Sequence, residues 1–302
     1  MTHQLKIYLS IITSLFFIFC SNVDTKKTTS QLEKKVPRFK KDSKFKAYWY
    51  QGKAEITSYE LTQARYGEIH RGTAVHIFVT EDFLPEKQVK ADYKNAKNIP
   101  VLKLNSSKKF ITGIYPYSLM TSTFSPINLN QKAIKVSFSS QEWCGNTFAQ
   151  LNNRANFDID FHSYFEGDAD RKQTIKKNIL ENELWNQLRI SPESMPVGNI
   201  DIIPSFEFLA LHHKEIKAYK AEASLTTEGT NKVYTIKYAA LKRTLTIKIA
   251  AAFPYIIESW EEKLQKRGQI LSTKAKKIKT IKSAYWRKNG VGDVEERKEL
   301  GL

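Results

Sequence analysis

The chain has 302 residues, 41% of them apolar and 12% aromatic, so it has material for one large core or two small ones and is not a disordered polymer. Its 14 Tyr and 17 Phe favour sheet over a helical bundle, and two cysteines exclude a disulfide-dense scaffold. A formal net charge of +17 points to an anionic neighbour without naming one.

The N-terminus has the pattern of an export signal. His3 and Lys6 give a weakly basic start, Ile7 to Phe19 form an uncharged run, and Cys20 follows at once. The run is shorter than the ~20 residues of a membrane span and fits the apolar region of a signal peptide. A Cys directly after such a run is the acceptor of diacylglycerol in bacterial lipoproteins. The residues Leu15 to Phe19 are bulkier than usual before a cleavage site, so the site reads as a relaxed lipobox. The competing reading is an uncleaved anchor helix that ends in Cys. The expected organisation is therefore a signal peptide over 1–19, a lipidated Cys20 with a basic tether over 20–46, and a single β-rich domain over 47–302. The tether holds Lys26, Lys27, Lys34, Lys35, Arg38, Lys40, Lys41, Lys44 and Lys46 with sparse apolar residues, so it lies along an anionic bilayer or is a solvated linker. With Cys20 lipidated, Cys144 has no intramolecular partner, and the domain is held by its core.

From Ala47 the pattern predicts strands. Segments 47–50 and 54–60 flank Gly52, and Val75 to Thr80 is β-branched and aromatic. Residues 85–97 read as a loop or short helix, and Lys108 to Phe124, with Gly113 and Pro116, as one bent strand. Ile134, Val136 and Phe138 alternate with Lys135 and Ser137. Phe157, Ile159 and Phe161 alternate with Asp158, Asp160 and His162. Arg171 to Ile190 places Ile175, Ile179, Leu180, Leu184, Trp185 and Leu188 on a helical stripe, stopped by Ser191-Pro192. Strands resume at 206–211, 218–225, 233–238, 243–249, 253–262 and 278–286. The expected class is mainly β with one substantial helix (α+β), a large antiparallel curved sheet or half-barrel. No phosphate-binding glycine loop occurs.

Five blocks, AYWYQGKAEITSYELTQARYGEIHRGTAVHIFVTEDFLPEKQVKAD (47–92), TGIYPYSLMTSTFSP (112–126), QEWCGNTFAQLNNR (141–154), FHSYFEGD (161–168) and LKRTLTIKIAAAFPYIIESWEE (241–262), resemble an uncharacterised family of bacterial envelope lipoproteins. Members often carry the label "septum formation inhibitor Maf". The resemblance implies export, lipidation and a sheet-rich domain. Maf nucleotide pyrophosphatases carry a Ser-x-Ser-Pro-Arg-Arg stretch near the N-terminus, and this sequence departs from it.

Several residues are candidates for chemistry or binding. Cys144, in Glu142-Trp143-Cys144-Gly145, is a nucleophile if His162 serves as its base, or a small buried hydrophobe if not. Trp143, Asn152, Asn153 and Arg154 offer a ring, two amides and a guanidinium to a sugar or carboxylate, or form a plain turn. Asp158, Asp160, His162, Glu166, Asp168 and Asp170 are the one acidic concentration and read as a solvated face, with no metal assigned. Arg243 binds an anion inside a curved sheet or pairs with Glu258, Glu261 or Glu262. Residues 263–288 hold Lys274, Lys276, Lys277, Lys279, Lys282 and Arg287 without any acid, either docking on anionic headgroups or wall polymers or guarding a strand edge.

The expected function is a non-catalytic binding or structural role at the cell envelope, toward an envelope component or an apolar ligand. The membrane is the expected partner through lipid on Cys20, the periplasm the expected side, and neither cofactor nor nucleic acid is expected. A hydrolase using Cys144 and His162, and more remotely a Maf-type pyrophosphatase with a role in septum formation, are the alternatives.

Overall fold

The computed structural model describes residues 42–266 and 268–302; the signal peptide, Cys20, most of the tether and Arg267 lie outside the described residues. The chain opens with helix α1 (Ser43–Trp49), then runs through strands β1 (Ala54–Arg65), β2 (Glu68–Leu84), β3 (Val89–Lys90), β4 (Ile99–Thr112), β5 (Tyr115–Pro126) and β6 (Lys135–Glu142). Strands β7 (Gly145–Asn153), β8 (Phe157–Ser163), β9 (Arg171–Ile175) and β10 (Ile179–Leu180) lead to α2 (Glu181–Ile190) and β11 (Gly198–Ile203). After α3 (Phe206–Leu211) come β12 (Tyr219–Glu228), β13 (Asn231–Tyr238), β14 (Arg243–Ala250), β15 (Ile257–Lys266) and β16 (Gln269–Ser283), and α4 (Glu295–Glu299) closes the chain.

Among the described residues sixteen strands form one sheet, ordered β10-β11-β12-β13-β14-β15-β16-β1-β2-β4-β5-β6-β7-β8-β9, with β3 beside β2. Every pairing is antiparallel except β10 with β11. The two outermost strands, β9 and β10, are consecutive in the chain and joined by only Lys176 to Asn178. Laid flat, fifteen strands at ~4.8 Å spacing would hold those edges roughly 67 Å apart. A connector of that length spans at most about 14 Å. The sheet must therefore curl until its edges nearly meet, which gives a strongly curved, unclosed wall. One face of each strand supplies the inside: Tyr59 and Leu61, Leu102 and Leu104, Val136 and Phe138, Phe157, Ile159 and Phe161, and Leu245, Ile247 and Ile249 are all buried in one cluster. The opposite positions are polar on β14 (Thr244, Thr246 and Lys248) and β8 (Asp158 and Asp160), whereas on β1 and β2 Ile56, Val75, Ile77 and Val79 form a second apolar cluster covered by Leu300 and Leu302.

Four expectations about elements are corrected. Residues 171–190 are not one helix: 171–175 and 179–180 are edge strands, and α2 begins at Glu181. Arg171 to Ile175 has alternating burial and pairs with β8, so sheet bonding overrides the helical stripe there. Residues 47–50 end helix α1, whose N-cap Asp42 accepts from the Phe45 amide at 2.7 Å. Phe45 and Trp49 on that helix are buried, so the folded body extends into the expected tether. Residues 206–211 are α3, capped by Ser205, and 108–124 are two strands separated at Gly113-Ile114.

Candidate functional site

Helix α2 lies inside the curved sheet and is buried nearly all round, polar residues included. An amphipathic helix usually turns its polar side to water. Here each buried polar side chain finds a partner on the surrounding structure. Arg189 donates to both carboxylate oxygens of Glu55 on β1, at 2.5 and 2.6 Å, with Tyr48 donating to the same carboxylate. Its guanidinium lies over the rings of Phe78 and Trp49, at 4.7 and 5.1 Å. Glu181 accepts from Arg243 on β14 at 2.5 and 2.8 Å and from the Tyr238 hydroxyl at 2.6 Å, while Arg243 also donates to Glu262. Glu183 accepts from the Ala133 and Leu180 amides and pairs with Lys132 at 3.3 Å. Asn186 donates to the Leu102 carbonyl at 2.6 Å, and Asn182 accepts from the Phe206 amide. The helix is thus a plug tied to β1, β4, β14, the chain before β6 and the start of α3.

These contacts set the titration of the groups. Burial opposes ionisation of Glu55 and Glu262, but the guanidinium beside each outweighs it and holds the carboxyl below the usual range. Burial pushes the Glu183 carboxyl up, only partly offset by Lys132. His76 stacks on Trp260 with ring centroids 4.7 Å apart, and burial, helped by Lys108 and Arg189, lowers its pKa to about 3. Among the described residues the plug leaves a polar cavity of about 60 Å³, lined by His76, Ser106, Thr121, Trp185, Trp260 and Thr273 among others. That is room for water, against the roughly 300–1,000 Å³ of small-molecule sites.

The sequence-selected residues are scattered around this plug. Cys144 sits exposed at the β6–β7 turn, where its amide donates to Glu142 and the same carboxylate pushes the thiol pKa up. His162 is exposed on β8, 3.2 Å from Asp170. A nucleophile needs a base and a lowered pKa, so the Cys144–His162 dyad is not formed. Arg243 is buried between Glu181 and Glu262, so both carboxylates engage it, as in the carboxylate-pair expectation. The Asn153 amide donates to the Ala133 carbonyl and is structural; Asn152 is half-buried beside Gln150, and Arg154 is exposed near Asp158. Trp143 is 68% exposed.

In the basic run, Lys274, Lys276, Lys279 and Arg287 are exposed, with Lys274 paired to Glu261 at 3.3 Å. Lys277 is instead bound to Glu258 at 2.6 Å. Lys282 is turned in, donating to the Tyr48 carbonyl and lying over the Tyr48 ring at 4.3 Å; burial lowers its pKa to about 8. The bulge opposite Ser58/Tyr59, which leaves Ile278 unpaired, changes the alternation and accounts for this split. The edge-guarding reading is corrected as well, because β16 is paired on both sides, by β15 and β1. Among the described residues no three His, Cys, Asp or Glu are placed to hold a metal ion. The acidic residues are engaged locally, Asp168 with His213 and Asp170 with His162.

Sequence reasoning missed Glu55, Arg189, Glu181 and His76. The one visible signal for the two on α2 is its six polar residues around Leu184 and Leu188, a pattern that reads as a wet helix face. No family model matches the chain, and no curated protein matches it. Among solved structures, a beta-barrel-like protein of the domain of unknown function DUF1849 from Brucella abortus is similar, at 8% identity and a TM-score of 0.47. It covers 76% of this chain and 98% of its own.

Proposed function

We propose that the chain is a lipid-anchored cell-envelope protein with a non-catalytic binding or structural role, held to a membrane through lipid on Cys20 and facing the periplasm. The observation that carries the non-catalytic part is the plugged interior. Its charged groups are committed to one another: Arg189 to Glu55, Arg243 to Glu181 and Glu262, and Lys108 to Glu207 at 2.6 Å. A reacting group needs a substrate within reach; the cavity of about 60 Å³ inside the sheet has no room for one, and Arg243 and Glu262, which also border open grooves of about 950 and 460 Å³, are tied to each other. The same volume disfavours an apolar ligand inside the sheet and moves recognition to the outer surface.

The outward positions Thr244, Thr246, Lys248, Lys274 and Lys276 are polar. A membrane-spanning barrel carries an apolar band there. The polar outer face of β14 and the covering of outward Ile56, Val75, Ile77 and Val79 by Leu300 and Leu302 fit a body that stands in water and is anchored separately, which the apolar run 7–19 followed by Cys20 supports. Lys274, Lys276, Lys279 and Arg287 are the outward cations that would meet an anionic envelope component. Intact mass and membrane fractionation of wild type against Cys20→Ala test the reading. A lipid-sized mass gain on wild type, lost together with membrane retention in the variant, is expected. Unmodified protein in the cytosol overturns it.

A further inference from the structure

Strands β1, β4, β6 and β8 run in the same direction, so the turns after them all lie at one end of the sheet. Each of those turns holds a large apolar side chain in solvent: Tyr66, Ile114, Trp143 and Tyr164 in order, with Ile114 82% exposed. They follow one another along the rim of the sheet, and neighbouring residues link three of them. The Tyr115 hydroxyl donates to that of Tyr66 at 3.4 Å, the Tyr115 ring stacks on Trp143 with centroids 6.2 Å apart, and Tyr164 covers Gly145 so closely that an added Cβ would lie 2.7 Å from the ring. Single exposed hydrophobes are ordinary on a soluble protein, whereas a contiguous run over four turns marks an interaction surface. Indole and phenol rings with an aliphatic neighbour suit the membrane–water boundary, where the ring body is apolar and its polar edge stays wet.

Charge selects the occupant. At the same end of the sheet Lys220, Lys237, Lys242 and Lys263 border an open groove of about 950 Å³. Asp201 and Glu222 line the groove as well; Lys220 and Lys263 pair with Asp201 and Glu261, while no ion pair forms at Lys237 or Lys242 among the described residues. A second copy of this chain would set lysine against lysine, and a neutral glycan would satisfy the rings alone. An anionic bilayer meets both halves, its interface taking the ridge and its phosphates the lysines. We infer that this end of the sheet docks on an anionic phospholipid surface through Tyr66, Ile114, Trp143 and Tyr164, with the lysine-bordered groove against the headgroups. This goes beyond lipidation at Cys20, since every residue involved lies in the folded body.

Cys144 supplies the probe, because its exposed thiol lies beside Trp143. Full-length protein carrying Cys20→Ser is labelled there with a nitrobenzoxadiazole dye and mixed with phosphatidylcholine vesicles, with or without phosphatidylglycerol. The emission is expected to shift to the blue with the anionic vesicles and less with the neutral ones. The shift is expected to vanish in Ile114→Ser/Trp143→Ser, whether or not residues 7–19 still carry that variant into the vesicle pellet. Near-UV circular dichroism confirms that the variant is folded. Pelleted protein whose label emits as it does in buffer overturns the proposal, as does an equal shift in the double variant. Neither result bears on lipidation, because the acceptor thiol is absent.

Discussion

Replacing Glu55 by Gln should be among the most destabilising isosteric changes in this protein. The side chain keeps its shape, and the amide oxygen can still accept one bond from Arg189. The charge is lost, and an amide NH₂ now faces a guanidinium whose side chain is 1% exposed. Arg189 cannot escape by shedding its proton, since an arginine stays charged under any folding condition. Breaking one partner of a buried pair costs ~3–5 kcal/mol. For a body of this size that lowers Tm by roughly 10 °C. Urea unfolding followed by tryptophan emission is the assay, because guanidinium chloride would itself screen the charges. The expected result is a fall in midpoint at unchanged slope. Removing both charges, Glu55→Leu with Arg189→Met, should recover most of the loss, because an apolar replacement of a buried pair is often neutral. If Glu55→Gln costs less than about 1 kcal/mol, the pair behaves like an exposed salt bridge and the plug argument fails.

Two further outcomes follow from the same interior. His76 has a folded pKa of about 3 against an ordinary value of 6.5, so below pH 6.5 protons bind the unfolded chain and not the folded one. Stability is then lost as pH falls from 6.5 toward 3, by up to about 5 kcal/mol in all, and His76→Phe should flatten that limb in urea titrations between pH 6.5 and 5; identical slopes would refute it. Gly72 on β2 approaches β4 so closely that an added Cβ would lie 2.2 Å from the Lys109 carbonyl oxygen. Gly72→Ala should therefore part the two strands and cost at least ~1–3 kcal/mol, read as a lower thermal midpoint.

Where one face of a strand is buried and the other is wet, the fold is legible in the residue order. Ile134, Val136 and Phe138, or Leu245, Ile247 and Ile249, announce their strands because the period of two survives any tertiary detail. Helices α1 and α3 escaped because seven and six residues fall short of two turns, too few for a 3.6-residue period to show among Phe, Tyr and Trp. Arg171 to Ile175 misled for another reason: Ile175 continues the helical spacing of Ile179 to Leu188, yet an open sheet edge on β8 offered backbone bonds that a helix would have had to supply alone. The exposed ridge could have been suspected from Tyr66 before Gly67 and Ile114 after Gly113, apolar residues placed where turns normally carry polar ones.

The plug was hidden by a more general limit. Arg243 could be matched to Glu262, 19 residues away on the neighbouring strand, because antiparallel pairing makes such partners easy to propose. Glu55 and Arg189 are 134 residues apart, and no local pattern links them. A polar residue on an amphipathic helix carries the same letters whether it meets water or a buried countercharge. Only the curling of the sheet decides, by bringing β1 and β14 around α2 from two sides. That curling is itself encoded weakly, in a connector of three residues between the first and last strands of the wall. Lengthening the connector would relax the demand that the edges nearly meet, and the charges on α2 would then have water where they now have partners. The short link and the charged helix are therefore two halves of one device, each tolerable in this fold because of the other.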